Sequence, residues 1–285
     1  MADCRSRLCY RTEGGCNKVS AIFDLSNAWL HMRGRADGRW VRGGDGGDCE
    51  TVDLPHCWNL TDTFQEGVEY YRGPGAYRKA FSVPADTIAE AGGEGSSWIV
   101  ESEGFYGTGD VWLNGRKVAE VDGEYLGFSL DVSRFLVAGD NLLAIRLTNR
   151  CGSDVLPGIA MPDFLLHGGL ACRVILRKRP ARHFVPESLR ILATDVLSNR
   201  PAVRIACELA GGARTARWTI QGPHGMNAVR EKPEAEFEIS NPALWSPETP
   251  ALYTVTGSIE ENGGEVDRII RLVGLRSAVF EPVRG

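Results

Sequence analysis

The sequence predicts an all-β protein made of two β-sandwich modules. Three observations point there. No run of ten or more residues shows apolar periodicity of 3.6, so helix content should be low. Glycine makes up 34 of the 285 residues, about 12% against a usual ~7%, and it falls in pairs such as Gly14-Gly15, Gly43-Gly44, Gly92-Gly93 and Gly211-Gly212. Paired glycines between short apolar runs mark many turns joining many strands. The rhythm of those runs then changes after Arg177-Lys178-Arg179-Pro180, and a chain of 285 residues suffices for two domains of ~100–200 each.

Residues 1–21 are polar and aperiodic, and a loosely ordered segment is expected there. From Ile22 to Gly75 short apolar pieces alternate with glycine-rich loops. Ala76 to Val83 puts Tyr77, Phe81 and Val83 on one side of a period-two pattern, as a half-buried strand requires. Trp98 to Glu103 is a second strand. Val111 to Leu113, Asn114-Gly115, then Lys117 to Val121 reads as a β-hairpin, because Asn-Gly supplies the positive φ angles of a two-residue type I′ turn. Phe128 to Val132, Asn141 to Thr148 and Cys172 to Leu176 follow as strands. Beyond a linker at Arg179 to His183, six more candidates appear: Leu189–Leu197, Val203–Leu209, Arg217–Ile220, Ala235–Ile239, Tyr253–Ile259 and Ile269–Val273. About a hundred residues with that spacing suggest an immunoglobulin-like sandwich.

Composition excludes several partners. A net charge of −5 with both signs interspersed offers no clustered basic face for nucleic acid or an anionic membrane. No apolar run approaches the ~18 residues of a membrane span. The first twenty residues lack the apolar core of a secretory signal, so a cytoplasmic setting is expected. Eight cysteines without CxxC spacing read as isolated reduced thiols; Cys4, Cys9 and Cys16 are too irregular for a metal set, and neither a metal nor another cofactor is expected. Asn59-Leu60-Thr61 has the form of a glycosylation acceptor, but without a signal it carries no weight.

Catalytic chemistry is hard to find in the residues themselves. Glu101 and Glu103 share a strand face with Cα atoms ~6.6 Å apart, within range of a glycosidase pair. A solvated strand face is the plainer reading, since nothing apolar beside them would raise a carboxyl pKa. Cys57 follows His56, but adjacent side chains often diverge, which argues against a Cys-His nucleophile. No GxSxG, HExxH or phosphate-binding loop occurs. Trp58, Tyr70 and Tyr71 lie in loop-like sequence, where a core is the default and a ligand the alternative. Asp163, in Pro162–Leu176, precedes the flexible Gly168-Gly169. It can cap a turn, or its carboxylate can accept hydrogen bonds from neutral hydroxyls such as those of a sugar.

Several stretches together resemble one family. Leu54-Pro55-His56-Cys57-Trp58-Asn59, Tyr70 to Phe81, Val111 to Gly115, Gly139 to Ala144, and Asp163-Phe164 with Gly168-Gly169-Leu170 and Arg173-Val174 look, in this order, like the amino-terminal jelly-roll of glycoside hydrolase family 2. Leu244 to Tyr253 and Gly274-Leu275-Arg276 are similar to that family's immunoglobulin-like domain. The resemblance implies a jelly-roll over 22–180 and an immunoglobulin-like sandwich over 183–282. It also implies a β-glycoside as ligand, with Asp163, His167, Trp58, Asn59 and Tyr71 as candidate substrate-binding residues. His167 stands where the family usually has an aromatic.

In that family a TIM barrel follows and supplies both glutamates of the retaining mechanism. The present sequence stops at Phe280 to Gly285, about where the barrel should begin. The expectation is therefore a non-catalytic amino-terminal portion, inactive alone, that contributes a loop and scaffold to a barrel domain or chain. A free-standing carbohydrate-binding module, with Trp58, Tyr70 or Tyr71 stacking on a sugar, and a structural interaction module are the alternatives. Sugar identity and oligomeric state are not specified by the sequence.

Overall fold

The computed structural model describes residues 22–34, 36–44, 47–89, 96–150, 152–153, 164–198, 200–223, 227–232 and 234–277. The amino-terminal segment 1–21 and Asp163 lie outside the described residues. The chain divides into two compact units between Arg179 and Pro180.

The first unit holds twelve strands: β1 (Ile22–Asp24), β2 (Trp29–Arg33), β3 (Glu50–Val52), β4 (His56–Cys57), β5 (Pro74–Val83), β6 (Ser97–Ser102), β7 (Tyr106–Leu113), β8 (Arg116–Glu124), β9 (Phe128–Asp131), β10 (Gly139–Thr148), β11 (Gly169–Leu170) and β12 (Val174–Arg179). They form a four-stranded sheet, β1-β12-β6-β9, and an eight-stranded one, β3-β2-β5-β10-β7-β11-β4 with β8 on β7. The expected hairpin is present: Asn114 has φ 54° and Gly115 φ 75°, joining β7 to β8. Period-two alternation decides which face each strand buries. On β5, Tyr77, Phe81 and Val83 enter the core, where Leu143, Ile145 and Leu147 of β10 and Val100 and Leu176 from the other sheet meet them. Each such side chain contributes ~1.5–3 kcal/mol on burial. Lys79, the polar member of that inward face, donates to the Asn27 carbonyl. This is a jelly-roll β-sandwich.

Short helical turns interrupt the β pattern, among them Gly38–Val41 and Ala85–Ala89. In α1 (Gly38–Val41) the Asp37 carboxylate accepts from the backbone N–H groups of Arg39 and Trp40 at 2.9 and 2.8 Å, capping the first turn. Trp40 thereby packs on Ala76 and Ala144, whose small side chains leave room on the outer face of β5 and β10.

The second unit is an immunoglobulin-like sandwich. Its strands are β13 (His183–Phe184), β14 (Arg190–Thr194), β15 (Ala202–Ala206), β16 (Leu209–Ala210), β17 (Arg217–Gln221), β18 (Asn227–Glu231), β19 (Glu234–Glu238), β20 (Tyr253–Glu261) and β21 (Gly264–Val273). Sheets β14-β15-β19 and β18-β17-β20-β21 enclose Trp218, Phe184, Ile205, Phe237 and Tyr253, and β13 pairs β16. The expected linker at Arg179–His183 ends in a strand, because His183 and Phe184 pair with Ala210 and Leu209. The stretch expected as one long strand over Leu189–Leu197 is only five residues of strand, and β18 was not foreseen, its sequence Asn-Ala-Val-Arg-Glu being too polar to alternate.

Candidate functional site

Two buried asparagines organise the loops of the first unit. Asn59 is fully buried; its Nδ2 donates to the carbonyls of Tyr71 and Leu166, both at 3.0 Å, and its Oδ1 accepts from Gly168 N–H at 3.0 Å and from the Cys57 thiol at 3.1 Å. Asn149 is also fully buried and donates to the same two carbonyls, at 3.3 and 3.0 Å, while its Oδ1 accepts from Gly73 N–H at 2.7 Å. An amide offers two donors and two acceptor lone pairs. Here the pair ties three loop segments together with its hydrogen bonds closed.

The segment so held is Leu166-His167-Gly168. Trp58 N–H donates to the Gly168 carbonyl at 3.1 Å, and the Trp58 ring lies so close that a Cβ at Gly168 would stand 2.2 Å from it. Gly169 has φ +137°, and a Cβ there would meet the His56 carbonyl at 2.4 Å. Both positions therefore require glycine. Upstream, Phe164 is 62% exposed and Leu165 41%, and on neighbouring loop sequence Leu60 and Phe64 are exposed as well.

Tyr71 closes the frame from below. Its N–H donates to Asp62 at 2.9 Å, its hydroxyl donates to the Pro74 carbonyl at 2.8 Å, and the Arg33 guanidinium lies 5.1 Å from its ring centroid. Arg33 also pairs with buried Asp62 at 3.0 Å and donates to the Trp58 carbonyl. The Tyr70 hydroxyl is pushed up to about 12, burial outweighing the opposing effect of Asn59 beside it. Tyr125, packed at a tilt against Tyr106 with 4.8 Å between centroids, is raised by burial, against a hydrogen bond from the His167 backbone.

Residues 27–180 match the profile of the glycosyl hydrolases family 2 sugar binding domain, and residues 190–276 that of the glycosyl hydrolases family 2. The chain belongs to this family. A β-glucuronidase of Bacteroides fragilis is 25% identical over 264 residues, which cover 84% of the chain and 36% of the relative. A β-galactosidase of Aeromonas hydrophila is 30% identical over 209 residues, 67% of the chain and 19% of the relative. Among solved structures, a Bacteroides uniformis β-glucuronidase superposes with TM-score 0.77 at 24% identity, covering 90% of the chain and 32% of its own. Bifidobacterium dentium β-glucuronidase gives 0.76 at 21%, covering 94% and 50%. The family 2 chain thus spans half or less of each.

Of the sequence-predicted site residues, the structure brings Asn59, Tyr71, Trp58 and His167 into one frame. Trp58 is corrected in role. It is 3% exposed, and a Cβ at Gly75 would lie 2.5 Å from the ring, so no ring face is open for a sugar to stack on. Glu101 is held by Arg177 at 3.1 Å and Arg179 at 2.7 Å, and Glu103 by Arg173 at 2.8 Å, so these carboxylates serve ion pairs on a strand surface. Cys57 is raised by burial and bonds Asn59 rather than His56, which removes it as a nucleophile. Missed by the sequence reading were Asn149 and Asp62, since nothing in local spacing joins Asn149 to Asn59 ninety residues earlier. Among the described residues no helix is long and apolar enough to cross a membrane.

Proposed function

We propose that these two domains are the non-catalytic amino-terminal portion of a family 2 β-glycosidase, and that the loop leading to Gly168 is donated to a sugar site completed by a TIM barrel. The observation that carries this reading is the double asparagine clamp on the Leu166 carbonyl. Two fully buried side chains fix one loop backbone, while Phe164 and Leu165 just ahead of it stay exposed. Rigid placement of an exposed loop is what a donated binding segment needs, because a contact held in place before binding costs less to order. In this reading Asp163 accepts hydrogen bonds from sugar hydroxyls, and Asn59, Tyr71 and Trp58 position the backbone at His167, the other residue assigned to the sugar. The four described cysteines, Cys49, Cys57, Cys172 and Cys207, are free thiols.

Hydrolysis of aryl β-glycosides tests the reading. The chain alone should show none. Joined to a family 2 barrel it should be active, and Asp163→Ala should lower kcat/KM by about 10–100-fold, the size expected for hydrogen bonds to a charged group. Mutation-sensitive turnover by the isolated chain would sink the proposal, and so would a joined enzyme indifferent to Asp163→Ala.

A further inference from the structure

A second polar cluster lies in the first unit, and the sugar reading makes no use of it. Strand register puts Glu50 of β3 opposite His31 of β2, and His31 opposite Tyr77 of β5. Opposed residues of an antiparallel ladder point to one face, so three chemistry-bearing side chains form a row by pairing alone. His56 of β4 closes on that row, its ring centroid 4.7 Å from that of His31 and 5.7 Å from that of Tyr77.

The hydrogen bonds of the row do not use all its donor capacity. His31 Nδ1 lies 3.0 Å from Glu50 Oε1, and His56 Nδ1 lies 2.9 Å from the Tyr77 hydroxyl. His31 is 1% exposed, and its Nε2 is buried with no hydrogen-bond partner among the described residues. Because Glu50 faces Nδ1, an ion shared by the two residues takes Nδ1 in place of the proton held there, and the unpartnered Nε2 is free to carry that proton instead.

One donor atom from each of His31, Glu50 and His56 lies within 4.8 Å of the other two. Two ligands of a tetrahedral ion with ~2.0–2.1 Å bonds stand ~3.3–3.4 Å apart. Closing the three onto one ion takes a shortening of at most about 1.5 Å between donor atoms, and Glu50, 65% exposed at its side chain, has room to rotate. We propose that His31, His56 and Glu50 bind one divalent transition-metal ion of the imidazole-preferring class, zinc foremost, with a remaining position open to water. Such an ion ties β2 and β3 to β4, the strand that leads directly into Trp58 and Asn59. Nitrogen ligands disfavour calcium and magnesium, which require oxygen.

The test uses the full chain after chelator treatment and dialysis, titrated separately with Co²⁺, Zn²⁺, Ca²⁺ and Mg²⁺. Cobalt should bind at one equivalent, giving visible d–d bands without the near-ultraviolet charge-transfer band of thiolate ligation. Zinc at ~100 times its Kd should raise the melting temperature by about 5 °C or more. Calcium and magnesium should not. Glu50→Gln, at an exposed position, should weaken cobalt binding at least ~10-fold, and His56→Gln should abolish the one-equivalent site. A thiolate band, no cobalt binding at micromolar protein, or binding that Glu50→Gln leaves unchanged overturns the proposal. None of these readouts depends on sugar or barrel.

Discussion

The asparagine frame and the histidine row lie in the same sandwich and solve opposite problems. Asn59 and Asn149 are neutral, carry donors and acceptors in one group, and meet carbonyls and N–H groups on both sides. His31 and His56 can each offer one lone pair when neutral, and His31 Nε2 meets none of the surrounding groups. A closed network fixes backbone geometry, whereas an open set of lone pairs is suited to a ligand. The contrast therefore assigns positioning to the first cluster and binding to the second.

The largest effect that bears on this contrast belongs to Trp58, whose ring packs between the two clusters, 6.2 Å from His31 by centroids and against Gly168. Trp58→Ala should cost about 3–5 kcal/mol in urea unfolding, the range for truncating a buried aromatic. A loss below ~1 kcal/mol would show that the ring is not core and would reopen the stacking role.

Next comes the frame itself. Asn59→Ala leaves Gly168 N–H without its partner and should cost about 2–3 kcal/mol. The carbonyls of Tyr71 and Leu166 keep Asn149 as a donor in that variant. Removing both asparagines strips the last donor, so the double variant should lose more than the sum of the single ones by ~1 kcal/mol or more. Simple additivity in that cycle would mean that the two amides are not one network.

Much of the first unit was legible in sequence because alternation is a local signal. Tyr77, Phe81 and Val83 declared the inward face of β5, and Asn114-Gly115 declared the turn between β7 and β8. Alternation says which face is buried but not which strand lies alongside. The Glu50-His31-Tyr77 row exists only through β2–β3 and β2–β5 pairing, so no spacing of those three residues could reveal it. Likewise a loop aromatic such as Trp58 reads as core by default and ligand-facing by alternative, and the choice is made only when the glycines at 75 and 168, distant in sequence, are brought against its ring. The order of motifs across the whole chain carried the family; contacts across loops carried the site.

Alkaline titration distinguishes the frame by a smaller effect. An unfolded tyrosine ionises near 10, while Tyr70 in the fold holds its proton to about 12 through burial. A raised folded value means stability that is complete below pH 10 and declines as pH rises from there toward 12. Comparison with Tyr70→Phe should isolate about 1 kcal/mol of this loss, a figure discounted for solvent around a half-buried ring. Parallel pH curves for the two proteins would remove Tyr70 from the frame.

The smallest predicted change is the most discriminating for the contrast. In metal-free solution Glu50→Gln should alter stability by no more than ~1 kcal/mol, because the carboxylate is 65% exposed at its side chain and Gln keeps an acceptor oxygen for His31 Nδ1. A structural network would respond differently. If Glu50→Gln without metal cost as much as Asn59→Ala, the histidine row would be a second closed frame. A near-silent substitution that nonetheless weakens cobalt binding separates the two, since removing a ligand and removing a strut cannot then be the same event.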